Sequence, residues 1–433
     1  MTSARHVQSP SRPRPFEVLP SDRGHLYYNA GQALGVLQTM KPPMTRRDAL
    51  RNFGLFIAGS PLLHSQFIPR DTHQRVPGLD EITSVFEFEP VARAKILRAS
   101  YDYVTGGVEG EYTLRRNRKG FDWVTLIPQV VGGASSVDLS TEVLGQPMPS
   151  PIFISPSSGH QRLHAEGEKD THRGATAAGV TMIVSHNSSF GTPEIAVAAE
   201  GPLWQQLYIH RNLDAARERI DRAVESGCLA VCLTVDAQYS SLRERLTHNR
   251  HMNPPRSASR RNRRSRRGAF RPQELYRIRP ESPDQSWEFL DELRTWSDLP
   301  ILVKGLLTAE DATLAVEHGA DGIVVSNHGA RYLGHTPSTI EVLPEIVDAV
   351  SGRIAILVDG GFRRGSDIFK ALALGANAVS LGRPPLWGLG AFGAVGTQRV
   401  LEILQAELAL AMASAGCSRI DDIDRGMVMA DFP

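Results

Sequence analysis

The feature that most constrains the fold is a series of eight short apolar runs that recur between residues 151 and 384. Each run is six to eight residues long and rich in Val, Ile and Leu, which is typical of a buried β-strand. Helix-length segments, such as residues 213–227 and 308–320, separate most of these runs. The chain therefore alternates strand with helix, and the predicted strands are residues 151–156, 180–185, 203–208, 229–236, 300–305, 321–327, 354–361 and 377–384.

Eight strand–helix units can close into a (β/α)₈ barrel, also called a TIM barrel. We therefore predict an α/β chain with this barrel, a helical N-terminal segment at residues 90–104 and a basic flexible lid after strand four. A doubly wound open sheet is the competing architecture. That sheet usually carries a Gly-rich dinucleotide-binding turn after its first strand. The sequence ISPSSGHQ at residues 154–161 is not such a turn, so the barrel is favoured.

Composition narrows the function classes. With 433 residues, 41% of them apolar, the chain can bury a full core, and a net charge of +1 gives no general preference for nucleic acid or membranes. No apolar run approaches the roughly 20 residues of a membrane-spanning helix. Cys228, Cys232 and Cys417 lack disulfide or zinc-site spacing and are predicted to be buried thiols. No metal site is predicted.

Polar residues or glycines end all eight predicted strands. In a TIM barrel the chemistry takes place at the carboxyl ends of the strands. For any single residue a cap or a solvated loop position is the simpler interpretation, but their joint placement at every strand end predicts one shared site. The residues are Ser155 and Pro156, Ser185, Gln206 and Tyr208, Thr234 and Asp236, Lys304, Ser326 to Arg331, Asp359 to Arg363, and Gly382 with Arg383.

The last two strand ends, VDGGFRRG and LGRP, combine glycines with arginines. Barrels of this kind bind phosphate at that place through backbone N–H groups, a helix N-terminus and a cation. The pattern predicts a phosphorylated ligand and leaves open whether it is a substrate or a cofactor. Lys304, after strand five, is predicted to lie deeper in the mouth as a fixed positive charge.

Several long motifs resemble one known family. These are ILVKGLLTAEDATLAVEHGADGIVVSNHGAR, LVDGGFRRGSDIFKALALGANAVSLGRP, QLY at residues 206–208 and LTVD at residues 233–236. They are similar to the FMN-dependent α-hydroxy acid oxidases and dehydrogenases, which include glycolate oxidase, lactate oxidase and flavocytochrome-type L-lactate dehydrogenase. The resemblance runs from about residue 81 to residue 429. It implies FMN on a TIM barrel and oxidation of an L-2-hydroxy acid to a 2-keto acid.

The resemblance also implies catalytic roles. The histidine of SNHGAR, His328, corresponds to the catalytic base, and Asp236 corresponds to the carboxylate that stabilises its imidazolium. Tyr208 corresponds to a tyrosine that contacts the substrate hydroxyl and the flavin.

The substrate carboxylate has its own implied partners. Arg331, three residues after His328, and Arg243 of LRER correspond to two carboxylate-binding arginines, and Tyr103 of YDYVTGG to a further contact. A 2-hydroxy acid needs a cation that forks its carboxylate close to a base that acts at the α-carbon or its hydroxyl.

The FMN contacts implied by the resemblance fall into three groups. Lys304 would offset negative charge at one edge of the flavin ring. The groups are the backbone of Pro156, Ser157 and Ser158, the side chains of Ser185, Gln206, Tyr208, Thr234, Lys304 and Ser326, and a phosphate-binding set of Asp359, Gly360, Gly361, Arg363, Gly382 and Arg383.

Two places depart from the family pattern. Asn187 stands where glycolate oxidase has a tryptophan, which changes the apolar wall of the substrate pocket. The lid segment after strand four holds eight arginines and no acidic residue between Arg250 and Arg267, a pattern typical of a disordered segment. It is either a solvated lid extension or a binding site for an anionic partner.

The N-terminal region differs in kind from the rest. Residues 1–43 are predicted to be disordered or untranslated, and residues 44–70, which begin MTRRDALRNFGLFIAGSPLL, resemble a twin-arginine export signal. The alternative is an amphipathic helix before the catalytic domain at residues 81–430. Export would place the protein in the periplasm, and otherwise it is cytoplasmic.

Two further functions stay open at this point. One is an FMN-binding barrel without hydroxy acid turnover, and the other is a flavin-dependent isomerase on the same barrel. The sequence does not distinguish oxygen, a quinone or a cytochrome as the electron acceptor. The family resemblance implies a homotetramer.

Overall fold

The computed structural model describes residues 76–129, 136–209, 212–252 and 286–433. The predicted N-terminal extension and export signal lie outside the described residues. So does the arginine-rich run from residue 253 onward, and its lid role stays a prediction.

Three short helices precede the barrel: α1 (Phe88–Lys95), α2 (Arg98–Thr105) and α3 (Tyr112–Lys119). The sequence predicts one helical stretch over residues 90–104, and the structure divides it. Ile96 and Leu97 both have extended backbone conformations, with ψ near 160° and 139°, which end α1 before α2 begins. The bend brings Tyr103 to the barrel mouth.

Strands β1 (Val124–Leu126), β2 (Thr141–Val143) and β3 (Gln146–Met148) lie outside the barrel. Strands β2 and β3 form an antiparallel hairpin, and β1 pairs antiparallel with β12 (Val428–Ala430) near the end of the chain. Val143 and Met148 of the hairpin pack against the apolar bottom of the barrel.

Eight parallel strands form the closed barrel, in the order β10-β11-β4-β5-β6-β7-β8-β9. Strand β11 returns to β4, with Val379 paired to Ile152, and β9 pairs with β10. All eight predicted strands and the predicted barrel are confirmed, and the open sheet is excluded. The strands are β4 (Ile152–Ile154), β5 (Thr181–Val184), β6 (Leu203–Tyr208), β7 (Val231–Thr234), β8 (Ile301–Leu306), β9 (Gly322–Val325), β10 (Ala355–Asp359) and β11 (Ala378–Leu381).

Helices cover the outside of the barrel. Side-chain caps fix two of their starts, because Asn212 accepts from Ala215 N–H and Thr308 accepts from Asp311 N–H. The helices after α3 are α4 (Gly167–Ala177), α5 (Thr192–Ala196), α6 (Leu213–Glu225), α7 (Glu244–Met252), α8 (Glu288–Arg294), α9 (Ala309–Glu317), α10 (Thr339–Val350), α11 (Gly365–Ala373), α12 (Arg383–Phe392) and α13 (Ala394–Ala415). Within the described ranges, no helix has the length and apolarity to cross a membrane.

The barrel interior begins with an apolar layer to which every barrel strand contributes. Phe153 and Trp204 pack in it with their ring centroids 4.5 Å apart. Cys232 belongs to this layer, and Cys228 and Cys417 are also buried, so the prediction of buried thiols is confirmed. The layer consists of Phe153, Ile183, Trp204, Cys232, Leu302, Val324, Leu357 and Ala378.

Candidate active site

A complete layer of polar side chains lies directly above the apolar one. Side chains alternate along a strand with a period of two, so the residues two positions further on also face the barrel interior. All eight are polar, and none is more than 6% exposed. Burying eight polar groups is costly unless each finds a partner, so this layer marks a site. Its members are Ser155, Ser185, Gln206, Thr234, Lys304, Ser326, Asp359 and Ser380.

Lys304 is the charged centre of this polar layer. Its Nζ lies 3.1 Å from Asp359 Oδ2 and donates to Ser326 Oγ at 2.7 Å. Burial acts to lower the pKa of Lys304, but the carboxylates of Asp359 and Asp236 outweigh burial and raise it. Lys304 is therefore a permanent cation beneath the barrel mouth.

Three polar atoms of the layer have no hydrogen-bond partner among the described residues. They are Gln206 Nε2, Thr234 Oγ1 and Asp359 Oδ1. Most buried polar atoms in folded proteins do have a partner. These atoms therefore fit a bound group that carries both donors and acceptors.

His328 lies above this layer, on the loop after β9. Its Nδ1 is 2.7 Å from Asp236 Oδ1. Because an ionised carboxylate only accepts, Nδ1 carries the proton and Nε2 presents its lone pair. Nε2 lies 3.5 Å from the hydroxyl of Tyr208. The backbone of His328 is left-handed, with φ of 56°, and its N–H donates to Ser326 Oγ at 3.0 Å.

Electrostatics favour an ionised Asp236 beside a neutral Tyr208. Burial acts to raise the pKa of Asp236, but the charge and hydrogen bond of His328, together with Lys304, lower it overall. Burial raises the pKa of Tyr208 well above its usual value, and the neighbouring Tyr332 and Asp236 add to the effect. The Tyr208 hydroxyl is therefore a proton donor at neutral pH.

Tyr103 is surrounded by cations. The guanidinium carbons of Arg162, Arg331 and Arg243 lie 4.7, 5.1 and 5.6 Å from its ring centroid. The Tyr103 hydroxyl lies 2.5 Å from Ser158 Oγ. Burial acts to raise the pKa of Tyr103, but the Ser158 hydrogen bond and the three arginines lower it overall. The three positive charges around Tyr103 therefore favour the binding of an anion beside it.

Arg331 is held by the last turn of α2. Its Nη1 donates to the carbonyl oxygen of Tyr103 at 2.7 Å. Burial, and then the charges of Arg243 and Arg383, lower its pKa. Such mutual repulsion between buried cations is relieved when an anion binds among them.

The ends of β10 and β11 form a second cationic region. Burial lowers the pKa of both Arg363 and Arg383 to about 10. Arg383 donates to the carbonyl oxygens of Val104, Gly106 and Gly329, which joins the start of α12 to the end of α2 and to the His328 loop. Arg363 stacks on Trp387, with its guanidinium carbon 4.4 Å from the ring centroid.

Neither of the two glycines after Asp359 can be replaced by a residue with a side chain without strain. Gly360 and Gly361 have φ values of 106° and 88°. A Cβ on Gly361 would lie 2.1 Å from the carbonyl oxygen of Asn117. Gly382 differs, because a Cβ there meets no protein atom within 4 Å. The backbone at Gly382 therefore borders open space.

A cavity joins the two cationic regions. Fifteen of the twenty predicted site residues line it, namely Tyr103, Pro156, Ser157, Ser158, Ser185, Tyr208, Lys304, His328, Arg331, Asp359, Gly360, Gly361, Arg363, Gly382 and Arg383. The other five stand behind or beside the lining. Ser326 and Asp236 contact lining residues directly, Arg243 reaches Tyr103, and Gln206 and Thr234 belong to the polar layer.

Sequence reasoning missed several residues of the site. Asn117 and Asn327 exchange two side-chain hydrogen bonds, of 2.8 and 2.7 Å, that fix the His328 loop to α3. Tyr332 packs edge-on against His328, with ring centroids 4.6 Å apart. Its place directly after SNHGAR is a signal that could have revealed it. Arg162 and Asn117 carry no such signal, because only the folded chain brings them to the mouth.

The family model described as FMN-dependent dehydrogenase matches residues 92–430. The chain belongs to this family. A peroxisomal (S)-2-hydroxyacid oxidase of Arabidopsis thaliana is 40% identical over 362 residues, covering 82% of this chain and 98% of that protein. The glycolate oxidase of Spinacia oleracea is 39% identical over 357 residues, covering 81% of this chain and 97% of that protein.

Solved structures agree with this family assignment. A mandelate oxidase structure superposes with a TM-score of 0.72 at 35% identity and covers 81% of this chain and 99% of that one. A flavocytochrome b2 variant with pyruvate bound superposes with a TM-score of 0.74 at 28% identity, covering 83% of this chain and 91% of that one. As a member of this family, the protein is an oxidoreductase and a flavoprotein.

The cavity fits FMN, the cofactor of this family. A phosphate suits the cationic end at Arg363 and Arg383, where Gly382 leaves space at the backbone. A flavin ring carries donors and acceptors along its edge, which suits the unpartnered atoms of Gln206 and Thr234. Within the described ranges, no group of side chains suits a metal ion.

Proposed function

We propose that the protein oxidises an L-2-hydroxy acid, the (S) enantiomer, to the corresponding 2-keto acid. The observation that carries this proposal is the placement of the His328–Asp236 pair in the same mouth as Arg331 and the Arg243-bearing loop. Bound FMN supplies a two-electron acceptor. The protein supplies binding, orientation and proton transfer.

His328 is the proposed general base. Its Nε2 takes a proton from the substrate, at the hydroxyl or at the α-carbon, and the ring becomes an imidazolium. Asp236, 2.7 Å from Nδ1, stabilises that charge and fixes the orientation of the ring. The Tyr208 hydroxyl, close to Nε2, orients the substrate oxygen by hydrogen bonding.

Arg331 and Arg243 are the proposed carboxylate ligands. A guanidinium binds a carboxylate through two parallel N–H···O bonds, which fixes the acid in one orientation. Tyr103, beside both arginines, adds a hydroxyl contact. The carboxylate also relieves the repulsion between the buried guanidinium groups.

The place of each residue in the cavity indicates which part of FMN it would hold. Arg363, Arg383 and the Gly360–Gly361 turn would hold the phosphate, and the polar layer with the backbone of Pro156 to Ser158 would hold the ring. Lys304, kept charged by Asp359, would offset negative charge on the ring.

The test is anaerobic mixing of the FMN-loaded protein with L-lactate, glycolate, (S)-mandelate and longer L-2-hydroxy acids. Loss of the oxidised flavin absorbance with any of these acids supports the proposal. A yellow protein that is inert to all of them supports an FMN-binding barrel without turnover. Reoxidation of the reduced protein by oxygen, a quinone or a cytochrome then identifies the electron acceptor.

The export signal remains a separate proposal on sequence grounds. Replacing Arg46 and Arg47 by lysine in the chain expressed from Met44 should retain the flavoprotein in the cytoplasm, because the signal needs the arginine pair. Cell fractionation measures this. Equal distribution of both proteins would mean that the pair merely begins a surface helix.

A further inference from the structure

A third arginine lies at the mouth, and the proposed mechanism does not use it. Arg162 ends the short 3₁₀ turn His160–Arg162 after β4. Its guanidinium carbon is 4.7 Å from the Tyr103 ring centroid, nearer than that of Arg331 or Arg243. An exposed cation–π contact of this kind contributes about 0.5–1 kcal/mol, which is enough to favour one position of the side chain.

Arg162 has no ion-pair partner in the part of the chain that the structure describes. The acidic residues that follow it are bound to other groups. Glu166 pairs with Lys169 at 3.1 Å, and Asp170 pairs with Arg173 at 2.6 Å. The Oε1 of Glu168 instead accepts hydrogen bonds from two backbone N–H groups. The charge of Arg162 is therefore available to a ligand.

The location of Arg162 relates it to the substrate. Arg162 and Arg331 contact the same aromatic ring. The distance between their guanidinium carbons therefore cannot exceed the sum of their two distances from the Tyr103 ring centroid. Arg331 is a proposed ligand of the substrate carboxylate. A second anionic group on the same small molecule could then reach Arg162.

The loop after β5 contacts the turn that bears Arg162, because Gln161 N–H donates to Ser189 Oγ, and its side chains at positions 186 and 187 are polar. His186 Nδ1 accepts from the backbone N–H of Tyr208, so the other ring nitrogen of His186 is a hydrogen-bond donor. Asn187 follows it and is exposed. Neither side chain offers the apolar surface that an alkyl or phenyl substituent would favour.

We infer that Arg162 is a specificity-determining residue that selects 2-hydroxy acids with a second carboxylate at the far end of a short chain. This inference rests on the proposed function and names its substrate class. Arg162 is exposed, and an exposed ion pair with a carboxylate contributes about 0.2–1 kcal/mol, or a preference of up to roughly fivefold.

The experiment compares two substrates of equal carbon number, L-malate and (S)-2-hydroxybutyrate, in the FMN-loaded protein. The readout is kcat/KM for anaerobic flavin reduction. Arg162→Met keeps most of the side-chain length and removes the charge. Arg222→Met is the matched control, because Arg222 is an exposed arginine on α6.

We expect the wild-type protein to favour L-malate by roughly two- to fivefold. Arg162→Met should lose that preference through a higher KM for L-malate, with kcat/KM for (S)-2-hydroxybutyrate unchanged. Arg222→Met should behave as the wild type does.

Three results would overturn the inference. A wild-type preference for (S)-2-hydroxybutyrate, or an equal loss on both acids in Arg162→Met, refutes the role of Arg162 and leaves the proposed function intact. Flavin reduction by neither acid, nor by any of the monocarboxylates above, refutes the proposed function together with the inference.

Discussion

The two ends of the cavity are built in different ways. At the phosphate end the backbone defines the site, because Gly360 and Gly361 have left-handed conformations and Arg383 is anchored to three carbonyl oxygens. At the catalytic end side chains define it, through the short contact between His328 and Asp236 and the cations around Tyr103.

The difference separates binding from chemistry. A change at the phosphate end disturbs the backbone and should yield protein without cofactor. A side-chain change at the catalytic end should yield protein that keeps its cofactor and does not react.

The largest effect is expected for His328→Gln. We predict that it retains FMN and loses flavin reduction by about 10²–10⁴-fold, roughly 3–5 kcal/mol, since the general base is removed. Stopped-flow absorbance with an L-2-hydroxy acid measures this. His335→Gln is the matched control, because His335 has nearly the same φ, 59°, and stacks on Tyr112 instead. Wild-type rates in His328→Gln would remove His328 from the mechanism.

Gly361→Ala should produce the next largest effect. Its Cβ meets the Asn117 carbonyl oxygen at a left-handed φ, so the free energy of unfolding should fall by about 2–4 kcal/mol, with loss of FMN. Gly382→Ala is the control, because its Cβ meets no protein atom within 4 Å. Without FMN, Gly382→Ala should have the same free energy of unfolding as the wild-type protein. It should bind FMN more weakly than the wild-type protein does. Denaturant unfolding and flavin titration measure the two quantities. Equal unfolding free energies for both variants would contradict the backbone account.

Arg243→Lys should have a smaller effect, confined to the catalytic end. An ammonium cannot reproduce the two-bond geometry of a guanidinium, so the KM for 2-hydroxy acids should rise about tenfold while FMN stays bound. Steady-state kinetics and the flavin spectrum test both statements. An unchanged KM would show that Arg243 does not bind the carboxylate.

The smallest effect concerns acid stability. The folded-state pKa of Asp236 is depressed, so its pairing with His328 and Lys304 contributes stability above the ordinary aspartate pKa of about 3.9, and this stability is lost as pH falls through the folded value. The stability difference between wild type and Asp236→Asn should therefore shrink as the pH falls below about 4. Urea unfolding at several pH values measures it. A difference that grows with acidity would contradict the shift.

The strands and the strand-end residues could be predicted from sequence for a physical reason. Buried parallel strands must be continuous apolar runs, so the residue that follows each run faces the mouth whatever the rest of the chain does. Lys304 and Ser326 were found in this way, and the pattern places them two residues above Leu302 and Val324.

The contacts that cross between distant segments could not be predicted in the same way. Arg162 and Tyr103 lie far apart in sequence, and only the folded chain brings them together. The chain also bends at Ile96 and Leu97. That bend was also missed, since PVARAKILRASYDYV has helical composition throughout. Its helices end where tertiary packing, rather than local propensity, requires.

The pairing of β1 with β12 has a consequence for how the protein is made. Val124 lies opposite Ala430, so β1 cannot pair with β12 until one of the last residues of the chain has been synthesised. The barrel likewise closes only when β11 reaches β4. Because synthesis proceeds from the N-terminus at about 5–20 residues per second, several earlier barrel strands exist for many seconds with an unpaired edge. On the ribosome this chain has a long interval of exposure, and we expect chaperones that shield strand edges to act during it.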